Sequence, residues 1–200
     1  MNLKSLSSAE KWILLGVPVL FIIGSIFHFI YEWTNNNFII GLISPINESI
    51  FQHIKLVIIP IICWWTLYYF FKGKREGISS KKWFTGAFAS LITSIISIPA
   101  LYYLYTGASG KESLIIDILI LFISLLFGQL LGLHFYRYSK GYDEFIILCI
   151  FIFIIVIFAI FTLYPLNIPL FIDSSIKKCN NNCPIKTLRN NLQIYNSLFI

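Results

Sequence analysis

Long apolar runs alternate with short polar breaks along this chain. Five of the runs, near residues 12–31, 46–71, 83–105, 114–133 and 144–164, are long enough to cross a bilayer as helices, since about 20 predominantly apolar residues span the hydrocarbon core. The stretch from Phe145 to Tyr164 carries no charge at all. The pattern predicts an all-α, polytopic transmembrane helix bundle of about five spans over residues 1–173, as one domain. A polar tail follows over residues 174–200, and its composition predicts poor order. Residues 32–42, with three consecutive asparagines, form a connector too short to span, although it could dip back into the bilayer.

Local signals refine the elements. Ser7 and Glu10 have capping-box spacing ahead of the first span, and Lys11 and Trp12 suit a membrane interface. That span is too long for a signal-peptide core, and no small-x-small cleavage site follows it. Ser44 before Pro45 predicts an N-cap and first helical position for the second span. Gly86, Ser90, Ser94 and Ser97 fall near one face of the third span. Ser124, Gly128 and Gly132 recur every four residues in the fourth. Small residues let helices approach closely in lipid, so spans three and four are expected inside the bundle and span five at the lipid. Trp64, Trp65, Tyr102, Tyr103 and Tyr105 read as packing and belt residues. No internal repeat supports a transporter built from inverted halves.

Composition agrees. With 58% hydrophobic and 12% charged residues, the chain is not an ordinary soluble domain, in which roughly a quarter of residues are charged. The net charge of +6 does not indicate a nucleic-acid partner, because the basic residues cluster beside spans. They write topology instead. A cytoplasmic amino terminus collects Lys4, Lys11, Lys72, Lys74, Arg75, Lys81, Lys82, Arg137 and Lys140 on one side, against Lys111 in the short outer loops. A multi-pass protein of the cell membrane, with the bilayer as its partner, is the expectation. Abundant Ile, Lys and Asn, as in chains from AT-rich genomes, point to a bacterial source. Cys63 and Cys149 lie within spans as small hydrophobes. Cys179 and Cys183 form a C-x3-C without the second pair a zinc site needs, and their role is not legible.

The candidate chemistry gathers at the outer ends of the spans. His28 and Glu32 are four apart on one helical face. Glu48, His53 and Lys55 open the second span, and Asp117 opens the fourth. Ionisable groups within membrane helices are costly and usually face the bundle interior or a water-filled cavity. His28, Glu32, Glu48 and His53 are candidate ligands for a divalent metal such as zinc. With Asp117 they are equally candidate catalytic acids and bases. Asn47, Ser49 and Lys55 are candidate substrate-binding groups, Lys55 neutralising an anionic head group. Each also has a plain structural reading: an interfacial pair for His28 and Glu32, local capping for Asn47 and Ser49, a favourable charge at the helix N-terminus for Asp117, and snorkelling or a pair with Glu48 for Lys55.

The pattern His28-x3-Glu32-Trp33, then Ser44-Pro45-x-Asn47-Glu48-Ser49-x3-His53-x-Lys55, resembles an uncharacterised family of small bacterial integral membrane proteins known only as a domain of unknown function. Pro169-Leu170-Phe171-x-Asp173 resembles the end of that family's pattern. The resemblance implies a membrane location and a shared site, and no activity. The leading functional reading is a polar His/Glu site on the extracytoplasmic side, used for metal-assisted hydrolysis or acyl transfer on a lipid-linked or envelope substrate. The alternative is a non-catalytic protein whose cluster binds an ion or lipid head group or stabilises the bundle. A transporter or channel would need a polar path inward, and span two offers no charge between Lys55 and Lys72. Oligomeric state is not legible in the sequence.

Overall fold

The computed structural model describes residues 6–173. Lys4, the Cys179/Cys183 pair and the expectation of a poorly ordered tail over 174–200 lie outside the described residues. Among the described residues six α-helices form the fold: α1 (Ser8–Trp33), α2 (Phe38–Ile43), α3 (Ile50–Tyr68), α4 (Ser80–Ser109), α5 (Leu114–Tyr138) and α6 (Glu144–Leu163). A π-helical turn, Tyr69–Gly73, prolongs α3, and a single 3-10 turn, Pro169–Phe171, follows α6. Among the described residues there is no strand. All the helices except α2 are long and apolar enough to cross a membrane.

The polar punctuation shapes the ends. Ser7 Oγ accepts the Glu10 N–H while the Glu10 carboxylate accepts the Ser7 N–H, so the capping box closes on itself. The asparagine run divides its labour after α1. Asn35 and Asn36 adopt left-handed backbone, φ 52° and 58°, which asparagine tolerates better than most residues. Asn37 then caps α2, its Oδ1 accepting from the N–H groups of Ile39 and Ile40.

Ser44 does not open the second span, contrary to the sequence expectation. It closes α2: its N–H and its hydroxyl both donate to the Ile40 carbonyl at 2.9 Å. Pro45 holds Ser44 in extended backbone, as a following proline generally does. The spanning helix begins six residues later, with Ser49 as N-cap accepting from Gln52 N–H.

The most buried helix is α3, with 56% of its spanning window enclosed, against 44% for α4, 33% for α5 and 17% for α6. The small-residue faces of α4 and α5 do meet, but the centre of the bundle is span two. Two tryptophans lock α3 to α1. The Trp12 and Trp64 rings stack with centroids 4.0 Å apart, and each indole N–H donates to the other's carbonyl. Between α4 and α5 the backbones nearly touch: a Cβ added at Gly86 would lie 2.8 Å from Gly132 O, and one at Gly132 would lie 2.8 Å from Gly86 O. Helix α6 buries little beyond Ile147, Phe151 and Thr162, leaving Phe145, Ile152, Phe153 and Val156 exposed on a face suited to lipid.

One end of the bundle is tied by polar pairs between different spans. Arg137 Nε donates to Glu10 Oε1 at 2.6 Å, Lys72 Nζ to Ser8 Oγ at 2.6 Å, and Lys81 faces Asp143 at 3.7 Å. The opposite end carries the C-terminus of α1, the N-terminus of α3 and the turn between α4 and α5.

Candidate metal site at the mouth of the bundle

Three side chains converge at that opposite end. His28 lies in the penultimate turn of α1, His53 in the first turn of α3 and Glu48 in the loop before α3. The two Nε2 atoms are 3.3 Å apart. Glu48 places Oε1 3.6 Å from His28 Nε2 and Oε2 3.4 Å from His53 Nε2. The helix start dictates this arrangement locally. Ser49 caps α3, which puts its carbonyl under the ring one turn later, and His53 Nδ1 lies 2.9 Å from Ser49 O. A carbonyl only accepts, so Nδ1 carries a proton, and in the neutral ring Nε2 keeps the lone pair that a metal would take. Histidine ligands to metals commonly donate their second N–H in this way.

Glu48 is the most open of the three, with 48% of its side chain exposed against 28% for each histidine. The imidazole of His28, and after it that of His53, holds the Glu48 carboxyl well below the usual carboxylate range, against the opposing pull of burial. The site therefore presents an ionised carboxylate and two imidazole nitrogens on one side of a mouth.

Glu32 stands apart from the converging ligand atoms of His28, Glu48 and His53. It is exposed at the end of α1, one turn beyond His28, where the chain already turns away through Asn35 and Asn36. Sharing a helical face with His28 was not enough, because Glu32 lies on the open side of the last turn of α1. Asp117 is partly buried and accepts the Tyr105 hydroxyl proton at 2.6 Å.

The other polar residues serve the backbone. Asn47 Oδ1 accepts from Ser49 N–H at 3.0 Å, and Ser49 is the helix cap. Lys55 does not reach a head group at the mouth. It is 2% exposed, and its ammonium donates to the carbonyls of Gly41 at 2.8 Å and Ser44 at 3.1 Å.

Two tyrosines read from the sequence as belt residues belong to this polar end. Besides the Tyr105–Asp117 bond, Tyr102 donates to Glu112 at 2.8 Å. The available signal was the short turn between α4 and α5, which brings residues 10–12 apart in the chain face to face. The Pro169–Phe171 turn also returns here, stacking Phe171 on Phe51 with centroids 4.3 Å apart, two residues from His53.

The chain belongs to the family of unknown function DUF6512, whose match covers residues 1–179. No curated protein and no solved structure matches it.

Proposed function

We propose that this member of the DUF6512 family is a membrane-embedded hydrolase that holds a divalent metal, best zinc, between His28, His53 and Glu48 and acts on a lipid-linked or envelope substrate. The observation that carries the reading is the convergence of two imidazole nitrogens and a carboxylate on one small volume. A tetrahedral zinc ion with ligand bonds of about 2.0–2.1 Å sets its ligand atoms about 3.3–3.4 Å apart. The two Nε2 atoms match this at 3.3 Å; one Glu48 oxygen lies 3.6 Å from His28 Nε2 and the other 3.4 Å from His53 Nε2, and one ligand atom from each residue lies within 4.8 Å of the other two. Three protein ligands with one position left for water is the pattern of catalytic rather than structural zinc. Such an ion supplies a Lewis acid and a bound water acidic enough to be deprotonated near neutral pH.

The chain's own residues supply the rest. The Ser49 carbonyl fixes the His53 tautomer, and the ionised Glu48 neutralises part of the cation's charge. Asp117, oriented by the Tyr105 hydroxyl, holds a carboxylate at the same mouth for proton transfer to or from substrate. The clustering of basic residues around the opposite end supports a cytoplasmic amino terminus in the cell membrane, with the site on the extracytoplasmic side.

A second reading is a non-catalytic ion site that clasps α1 to α3, favoured by the ligands being drawn from both helices. Metal analysis of detergent-purified protein, paired with turnover of p-nitrophenyl acyl esters and p-nitrophenyl phosphate, separates the two. The expected result is close to one zinc per chain, lost in His53→Ala, sharply reduced in Glu48→Gln and retained in Glu32→Gln, with turnover following the metal. Zinc without turnover supports the clasp. Zinc content indifferent to His53 and Glu48 refutes both.

A further inference from the structure

We propose that Lys55 is a positioning residue for the metal site: by gripping the carbonyl end of α2 it holds the Glu48 loop over the two histidines. The inference rests on the metal reading of His28, His53 and Glu48.

A six-residue helix has almost no stability of its own. Its last carbonyls have no partner within the helix, and with Gly41 and Ser44 buried in the protein, water does not supply one. Two of the carbonyls at this end, of Gly41 and Ser44, receive the Lys55 ammonium, whose positive charge also suits the negative end of the helix dipole. Lys55 is among the largest fully enclosed side chains of the protein. Burying a charge is costly unless it is well bonded, so this one is committed to α2.

The consequence for the site follows from the chain path. Glu48 lies four residues beyond Ser44, which Lys55 holds. It lies one residue before Ser49, whose N–H is tied to Asn47 Oδ1 and whose hydroxyl accepts from Gln52 N–H. The loop carrying Glu48 is thus pinned on both sides. Lys55 is also only two residues beyond His53, so α3 carries one ligand while gripping the loop that carries another. Gly41 makes the grip feasible. A Cβ there would fall 2.9 Å from both the Tyr31 ring and the Ile46 side chain, so only glycine lets α2 settle deeply enough for its carbonyl to reach Nζ.

The test is a double-mutant cycle on zinc affinity, measured by competition with a chromogenic chelator on the purified full chain. Lys55→Met is expected to weaken zinc binding about 10- to 100-fold, the range for groups that support a metal ligand. In a Glu48→Gln background the same change is expected to cost nothing further, because Lys55 acts through Glu48. A merely structural lysine would weaken binding by the same factor in both backgrounds. Asn37→Ala repeats the cycle at an exposed position, fraying α2 from its capped end without disturbing the core. It is expected to lower affinity several-fold and to show the same dependence on Glu48. Unchanged affinity in both variants, or equal losses in both backgrounds, overturns the inference and leaves the metal reading intact. Wild-type protein that binds no zinc overturns the metal reading, and this inference with it.

Discussion

Two helical glycines make a controlled test of the packing. Gly128 in α5 and Gly107 in α4 each sit inside a helix, so replacing either with alanine removes the same flexible residue from the same kind of backbone. That change alone favours the helix by up to about 1 kcal/mol. Their surroundings differ completely. A Cβ at Gly107 meets nothing within 4 Å, whereas one at Gly128 would lie 2.7 Å from the Ser90 carbonyl oxygen and would collide with the Ser94 hydroxyl. Ordinary contact begins near 3.4 Å, so α4 and α5 would have to part by roughly 0.7 Å, and backbone cannot rotate aside as a side chain can. Overpacking of this kind costs about 1–3 kcal/mol. The shift also endangers the bond from the Ser94 hydroxyl to the Ser124 carbonyl, 3.2 Å long, with about 0.6 kcal/mol typical for an interhelical bond in a membrane protein. Gly107→Ala should therefore match or exceed wild type in thermal stability in detergent, while Gly128→Ala should fall below it, the two separated by about 1.5–3.5 kcal/mol. Equal shifts would refute the close α4–α5 approach, and a stable Gly128→Leu would refute it more strongly still.

Val156→Phe, a bulky change on the exposed face of α6, should leave detergent stability nearly unchanged, and a loss matching Gly128→Ala would mean that α6 packs on more than the helices seen here. Arg137→Gln should destabilise by about 1–3 kcal/mol, because it removes the cation from Glu10 Oε1 and leaves the carboxylate only the Ser7 N–H; Glu10→Gln combined with it should recover part of that loss, and additive losses would argue that the pair is not coupled. Reporters fused after Gly77 and after Gly107 should read cytoplasmic and extracytoplasmic respectively, and the reversed pair of readings would move the metal site to the cytoplasmic face.

Much of the fold was written in one dimension. Hydrophobic runs longer than a bilayer is thick must become helices, since no other structure satisfies the backbone of a single segment within lipid. The five spans, the small-residue seam of Gly86, Ser90, Gly128 and Gly132 and the lipid face of α6 all follow from residue type and spacing. So does the suspicion attached to His28, Glu48 and His53, because ionisable groups in such surroundings demand a reason.

Tertiary structure decided which of the suspects meet. Glu32 and Glu48 were both candidate carboxylates within five residues of a histidine. Their fates divided because α1 ends in an asparagine turn that leaves Glu32 in the open, while the chain folds back through α2 and delivers Glu48 to the histidines. The span boundary was misplaced for the same reason. Ser44 and Pro45 suit a helix start chemically, but Ser49 starts α3 because Ser44 is already closing α2. Lys55 showed the limit most clearly. Its sequence position suggested an ammonium reaching for lipid, and its partners are two carbonyls 11 and 14 residues earlier in the chain. Hydropathy records the cost of burying a group, whereas the partner that offsets the cost is chosen by the path of the chain through space.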